Sequence, residues 1–214
     1  MTSYSVKFWN RFAERYARMP VADEAAYQQK LSVTRDYLRP DSDVLEFGCG
    51  TGTTALHHAP HVKRYRAIDV SPKMIGIAER KAAAEPSDNL SFTASALEEY
   101  PVDDASLDAV LGMSILHLLN DPDDAIRRVH RMLKPGGVFV SSTACLGDTM
   151  GYFKIIGPVG SFFGLMPRVQ VFTQSQLVDS LVRSGFEIDH QWQPAKGKGV
   201  FIVARKAQDQ KPDS

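Results

Sequence analysis

The sequence predicts an α/β protein built on a doubly wound, mostly parallel sheet with an antiparallel hairpin at one edge. Three observations carry this expectation. Short apolar runs alternate with amphipathic helical stretches over residues 41–205, and such alternation implies parallel strands joined by crossover helices. The first run, Asp43–Phe47, ends in a glycine-rich turn, Gly48-Cys49-Gly50-Thr51-Gly52. The last two runs, Phe186–His190 and Val200–Ala204, leave no room for a helix between them and therefore pair antiparallel.

The elements follow in order. Residues 5–19 read as an amphipathic helix, with Phe8, Phe12 and Tyr16 at helical spacing. Lys7, Arg11 and Arg15 line another face of it, either a solvated face or a surface for an anionic partner. A second helix runs from about Asp23 to Leu38 and stops before Pro40. Together these form an N-terminal helical cap over residues 1–40. Strands are expected at Asp43–Phe47, Arg64–Ile68, Leu90–Thr93 and Leu107–Met113. Ser71-Pro72 and Asp121-Pro122 each supply an N-cap and a first-turn proline. The second of these helices reaches about Leu133 and is stopped by Lys134-Pro135-Gly136-Gly137, before a strand at Val138–Thr143. Thr173-x-x-Gln176 offers a capping box and Gly185 a helix end. Residues 206–214 form a polar tail.

Composition narrows the function classes. The chain has 214 residues, 43% hydrophobic, with 25 basic and 25 acidic side chains and a formal net charge of zero. A protein that grips phosphate backbones is usually strongly basic, so nucleic acid is not the expected partner. The two cysteines, Cys49 and Cys145, form no disulfide framework and suit a reducing, cytoplasmic compartment. No apolar run is long enough to span a bilayer, and no signal peptide is evident.

The sharpest motif is Val44-Leu45-Glu46-Phe47-Gly48-Cys49-Gly50-Thr51-Gly52, a strand entering a turn with glycine at alternate positions. Such glycines permit positive φ and let backbone N–H groups approach a ligand. Asp69 stands at the end of the next strand, where an acid can accept hydrogen bonds from a ribose diol. Gly50-x-Gly52-x-x-Ala55 also satisfies a dinucleotide fingerprint, which keeps an NAD(P)-dependent oxidoreductase in view. Against it, Glu46 at the strand end repels a pyrophosphate and suits a cationic ligand. No Tyr-x-x-x-Lys proton-relay pair occurs either.

The nine residues Val44–Gly52 closely resemble motif I of class I S-adenosylmethionine-dependent methyltransferases. Ala67-Ile68-Asp69-Val70-Ser71 resembles their second motif, Leu133–Gly137 the turn before their fifth strand, and Ser184-Gly185-Phe186-Glu187 the start of their sixth. The resemblance implies a seven-stranded Rossmann-like sheet with an antiparallel last strand. It also implies binding of S-adenosylmethionine and release of S-adenosylhomocysteine. Carried over by residue, Gly48, Cys49 and Gly50 line the methionine portion, with Glu46 beneath the loop. Asp69 holds the ribose hydroxyls, and Val70 and Met74 flank the adenine. The family's usual acid after the third strand aligns with Ala96, a departure that leaves the backbone N–H of Leu97 to serve the adenine. Met113 ends the fourth strand, and the resemblance implies that the stretch from it to Leu118 faces the transferred methyl.

Methyl transfer from a sulfonium is an in-line displacement, so the protein chiefly supplies positioning and a dry pocket. His117, after the fourth strand, is the candidate general base, with a structural role as its competitor. Tyr16 is a candidate partner for the cofactor carboxylate, with core packing the alternative. His57, His58 and His61 lack a completing ligand and the right spacing, so no metal is expected. Residues 145–172, rich in aromatics and glycine, suit a lid over a partly apolar acceptor, or a packing or dimer surface. The expected partner is a small molecule and the expected state a monomer or homodimer. A non-catalytic cofactor-binding subunit is the remaining alternative.

Overall fold

The computed structural model describes residues 3–148 and 169–208. The aromatic segment expected to form a lid thus lies largely outside the described residues, as does most of the polar tail.

Two helices, α1 (Ser3–Ala17) and α2 (Glu24–Asp36), precede the sheet. The core then runs β1 (Asp43–Phe47), α3 (Thr53–His58), β2 (Arg64–Asp69), α4 (Pro72–Ala82), β3 (Leu90–Ala94) and β4 (Leu107–Met113). It continues with α5 (Pro122–Met132), β5 (Leu133–Thr143), α6 (Gln174–Arg183), β6 (Phe186–Trp192) and β7 (Val200–Lys206). The seven strands lie in the order β3-β2-β1-β4-β5-β7-β6. β1 through β5 pair in parallel, and β7 pairs antiparallel with both β5 and β6.

The sheet is covered on both faces, which explains why its central strands read as continuous apolar runs. Every residue of β1 is buried. Alternation along it sends Leu45 and Phe47 into a core with Ile126, Val129, Phe139 and Leu177 on one face. Val44 joins Ala55, Tyr65, Val140 and Phe201 on the other. Local signals set the helix ends as expected: the Ser71 and Asp121 side chains accept the N–H groups of Met74 and Asp124. Thr173 and Gln176 form a reciprocal capping box on α6.

One boundary differs from expectation. The Lys134–Gly137 turn does not separate α5 from β5; the strand begins at Leu133, which pairs with Leu107, and the register then shifts so that Ala109 faces Val138. The turn is absorbed as a bulge. Gly136 takes φ +78° there, and the Lys134 ammonium binds Asp108 at 2.8 Å.

The cap is fixed by specific contacts. Ala13 of α1 packs on Met74 and Ile77 of α4, with Trp9 beside them. The Asn10 carbonyl oxygen accepts from the Ser71 hydroxyl at 2.7 Å and from the Lys73 N–H at 3.2 Å. On α2, Tyr27 and Thr54 of α3 share a hydroxyl–hydroxyl hydrogen bond of 3.2 Å. These contacts bring both helices to the carboxyl ends of β1 and β4, where the strand order reverses. In open α/β sheets that crevice is the ligand site.

Candidate functional site

The site begins with backbone geometry. Beyond β1, Gly48, Gly50 and Gly52 adopt φ +66°, +54° and +76°, left-handed values that L side chains rarely take. The Cys49 N–H donates to the Ile68 carbonyl at 3.0 Å, prolonging the pairing with β2. The Gly50 N–H donates to Asp69 Oδ2 at 3.0 Å, and the Ser71 N–H to Asp69 Oδ1 at 2.8 Å. One carboxylate therefore ties the turns after β1 and β2 together, leaving each of its oxygens a lone pair for a further donor.

Gly48 and Gly50 serve differently. A Cβ at Gly48 would lie 2.5 Å from Ile115 Cγ1 and 2.9 Å from its Cβ, whereas at Gly50 the nearest atom is Tyr16 Cε1 at 3.8 Å. Gly48 lets the loop pass Ile115. Gly50 keeps open a cradle beneath the Tyr16 ring. Gly48→Ala combines a backbone penalty with a collision, so it should destabilise the protein by about 2–4 kcal/mol. Gly50→Ala should leave the melting temperature closer to wild type yet weaken ligand binding. Parallel thermal melts and calorimetric titrations check the contrast; equal destabilisation by both would contradict it.

Two carboxyl groups set the electrostatics. Burial raises the Asp69 pKa above the usual carboxylate range, while the N–H groups of Ser71 and Gly50 pull it back. Glu46 is buried within β1, and the Tyr65 hydroxyl donates to its Oε2 at 2.9 Å. Burial pushes its pKa to about 8, against the Tyr65 hydrogen bond and with a contribution from Asp69. A buried carboxyl poised near neutrality stabilises a nearby cation by ionising.

Two cavities meet over this loop. The first is walled by Trp9, Tyr16, Gly48, Gly50, Asp69, Val70, Met74, Leu97 and Met113, among others. The second, of about 490 Å³, is bounded by Tyr16, Tyr27, Lys30, Glu46, Cys49, Met113 and Ser142, with Lys81 and Lys198 also on its wall. Tyr16, Gly48, Gly50, Met113 and Ser114 belong to both. Burial lifts the Tyr16 phenol pKa, as does Asp69, so this hydroxyl stays protonated and available as a donor. Cys49 is buried and its thiol pKa is driven well up by burial, which makes it inert packing. The cradle over Gly50, the carboxylate at Asp69 and the ionisable carboxyl at Glu46 suit an adenosyl sulfonium, whose diol and cation match them in kind.

Two expected site residues stand apart. Ala96 is on neither wall. Its carbonyl accepts from the N–H groups of Glu99 and Tyr100, starting a turn that carries Leu97 and Glu98 to the first cavity instead. An acid thus lines the first cavity two positions beyond Ala96. His117 is also on neither wall. Its backbone carbonyl accepts from the Gln170 N–H at 2.7 Å, its Nδ1 is buried without a partner among the described residues, and burial lowers its pKa to about 4. A neutral imidazole so weakly basic is a poor proton acceptor.

The structure adds residues that the sequence did not single out. Ser114 adopts φ +59°, uncommon for a non-glycine residue and frequent at functional turns. Its N–H donates to the Ser142 carbonyl at 2.7 Å, which fixes its place between the cavities. Lys30 arrives from α2 with its ammonium 2.9 Å from Ser142 Oγ. No local pattern announces either. Among the described residues, no group of three or more His, Cys, Asp or Glu is arranged to hold a metal, and no helix is long and apolar enough to cross a membrane.

Fold and site together define a Rossmann-like protein whose glycine loop and strand-end acid wall one crevice. Residues 44–137 match the family described as methyltransferase domain. A malonyl-[acyl-carrier protein] O-methyltransferase of Serratia marcescens is 29% identical over 109 residues, covering 51% of this chain and 41% of that one. The chain spans about half the length of the curated relatives it matches. Among solved structures, the [4+2]-cyclase SpnF superposes with a TM-score of 0.71 at 21% identity, covering 84% of this chain and 80% of that one. An S-adenosylmethionine-dependent methyltransferase of Mesorhizobium loti gives 0.68 at 21% identity, covering 86% and 99%. At such identities the structural likeness shows the fold. Residues 44–137 are thus similar to a methyltransferase domain, in keeping with the likeness to malonyl-[acyl-carrier protein] O-methyltransferases, and the dinucleotide oxidoreductase reading is not favoured.

Proposed function

We propose that this protein transfers the methyl group of S-adenosylmethionine to a small, partly apolar molecule held in the second cavity. The single observation carrying the proposal is that the two cavities join at Tyr16, Gly48, Gly50, Met113 and Ser114. Gly48, Gly50 and Asp69 would hold the cofactor over the glycine loop, and Tyr16, Met113 and Ser114 would border the junction where an acceptor meets it. When bound, it supplies a methyl already activated on a sulfonium, displaced in line with release of S-adenosylhomocysteine.

The chain's own residues bind, orient and exclude water. Asp69 accepts the ribose hydroxyls. Trp9, Val70, Met74 and Leu97 enclose the adenine, with Glu98 at its edge. Tyr16 covers the loop from α1 and offers its hydroxyl to the carboxylate of the methionine end. Glu46 beneath the loop ionises in answer to the bound cation. Met113 and Ser114 border the path between donor and acceptor. Because His117 stands on neither wall, the reading uses no imidazole base; the acceptor atom arrives already nucleophilic. Two buried, free cysteines agree with action in the reducing cytoplasm.

A calorimetric titration with S-adenosylmethionine and S-adenosylhomocysteine, with NADH as control, tests the cofactor reading. Micromolar uptake of the first two and none of the third is expected. Failure to bind either sulfur compound at millimolar concentration overturns it. Release of S-adenosylhomocysteine across a panel of small acceptors then tests transfer. A second reading, a member of this fold with another reaction, is favoured by one finding: the structural neighbour SpnF is a [4+2]-cyclase, so fold alone does not fix the chemistry. Cofactor binding without release of S-adenosylhomocysteine from any acceptor would favour it.

A further inference from the structure

We infer that the second cavity is an acceptor site for a small organic acid, a carboxylate or a phosphate monoester, anchored by the Lys30 ammonium. The inference rests on the proposed cofactor reading of the first cavity. Lys30 is half-buried on α2, and its Nζ reaches Ser142 Oγ, at the carboxyl end of β5, at 2.9 Å. Holding a long side chain in one conformation across to the sheet costs rotamer entropy, and a neutral hydroxyl is weak compensation. Among the described residues, no ion pair within 4.0 Å engages this ammonium. Asp23 acts on it only at longer range. A lysine has three donors, and Lys30 lines the cavity in which the others find space.

Two further ammonium groups stand on the wall. Lys81 and Lys198 line the same cavity. Lys81 donates to the hydroxyls of Thr51 and Thr53 at 2.9 and 3.1 Å. Lys198 lies in the β6–β7 turn beside Gly199, where an added Cβ would stand 3.4 Å from Ser142 Oγ. Two acids share the wall. Asp23 is occupied as the N-cap of α2, accepting the Ala26 N–H at 3.1 Å. Glu46 accepts from Tyr65. In a chain of zero formal net charge, three ammonium groups gathered on one concave wall create a local positive potential. Met19, Pro20 and Val21 complete the wall and suit a short hydrocarbon or ring. The wall therefore combines an anion anchor with an apolar lining.

The same ammonium has the chemistry to hold the carboxylate of the cofactor itself, so the experiment separates the two sources. Protein saturated with S-adenosylhomocysteine is titrated with benzoate, hexanoate and phenyl phosphate, with benzamide and hexanamide as neutral controls, for wild type, Lys30→Gln and Lys30→Arg. We expect at least one anion to bind wild type while its neutral counterpart does not. Lys30→Gln should lose about tenfold to a hundredfold in that affinity, as removal of a charge-assisted contact does. Lys30→Arg should retain most of it, and the dissociation constant for S-adenosylhomocysteine should change less than about threefold. If Lys30→Gln instead weakens S-adenosylhomocysteine and spares the anions, the ammonium belongs to the cofactor and the inference is wrong. Equal binding of acids and amides, or no binding of any acid, also overturns it. Failure of wild type to bind S-adenosylhomocysteine is a separate outcome that removes the cofactor reading itself.

Discussion

Asp69→Ala is expected to weaken binding of S-adenosylmethionine and S-adenosylhomocysteine by about a hundredfold or more, with the fold intact. The carboxylate offers the ribose two charge-assisted acceptors, each contributing roughly 1.5–3 kcal/mol, so losing both removes on the order of 3–6 kcal/mol. It also orders the loop, since it accepts the Gly50 and Ser71 N–H groups. These donors border the crevice, and water replaces the lost acceptor there at modest cost. Calorimetry reads the affinity, and circular dichroism reads the fold. A variant that binds within threefold of wild type would remove the ribose from Asp69.

Glu46→Gln is expected to strengthen the fold and weaken the function at the same time. The sign follows from protonation. In the folded protein the Glu46 pKa rises from an ordinary 4.5 to about 8. Below pH 4.5 both folded and unfolded chains hold the proton. Between there and pH 8 the unfolded chain releases it while the folded one retains it, so stability falls with rising pH and levels off above 8. Glutamine keeps an oxygen to accept the Tyr65 hydroxyl and removes that slope. The variant should therefore gain on the order of a few kcal/mol at pH 8, or about 5–10 °C in melting temperature, and almost nothing at pH 4.5. Cofactor affinity should drop about tenfold to a hundredfold, because a neutral amide cannot ionise toward a sulfonium and an ammonium. In wild type, cofactor binding near pH 7.5 should release a proton, visible as a dependence of the calorimetric enthalpy on buffer. A melting temperature unchanged at both pH values would show that Glu46 is ionised in the fold and would end this account.

The two predictions also mark what was legible in the sequence. Glu46, Gly48, Gly50 and Asp69 were readable because they sit where one local rule meets another: a strand ending in a turn with alternate glycines, and an acid ending the next strand. Parallel neighbours in register place such residues together; Glu46 faces Ala67 and Phe47 faces Ile68, so the two strand ends coincide. Val70 and Met74 follow from the cap at Ser71 for the same reason. Ala96 itself lines neither cavity, because a turn closed by its carbonyl carries Leu97 and Glu98 to the wall, and Leu97 was already named with it from the sequence. His117 drew notice by residue type and by its nearness to a strand end, but its ring is on neither cavity wall.

By itself, then, the sequence determined the sheet, its edge hairpin and the glycine loop with its facing acid, since each depends on periodicity, capping or turn chemistry within a short stretch. Only the tertiary structure brought the second cavity together. Lys30, Ser114, Ser142 and Lys198 come from a cap helix, a left-handed turn, a central strand and an edge hairpin. No spacing within the chain links them. Long-range packing, which seats the cap on α4 and α3 and threads β7 beside β5, brings their polar ends to one wall.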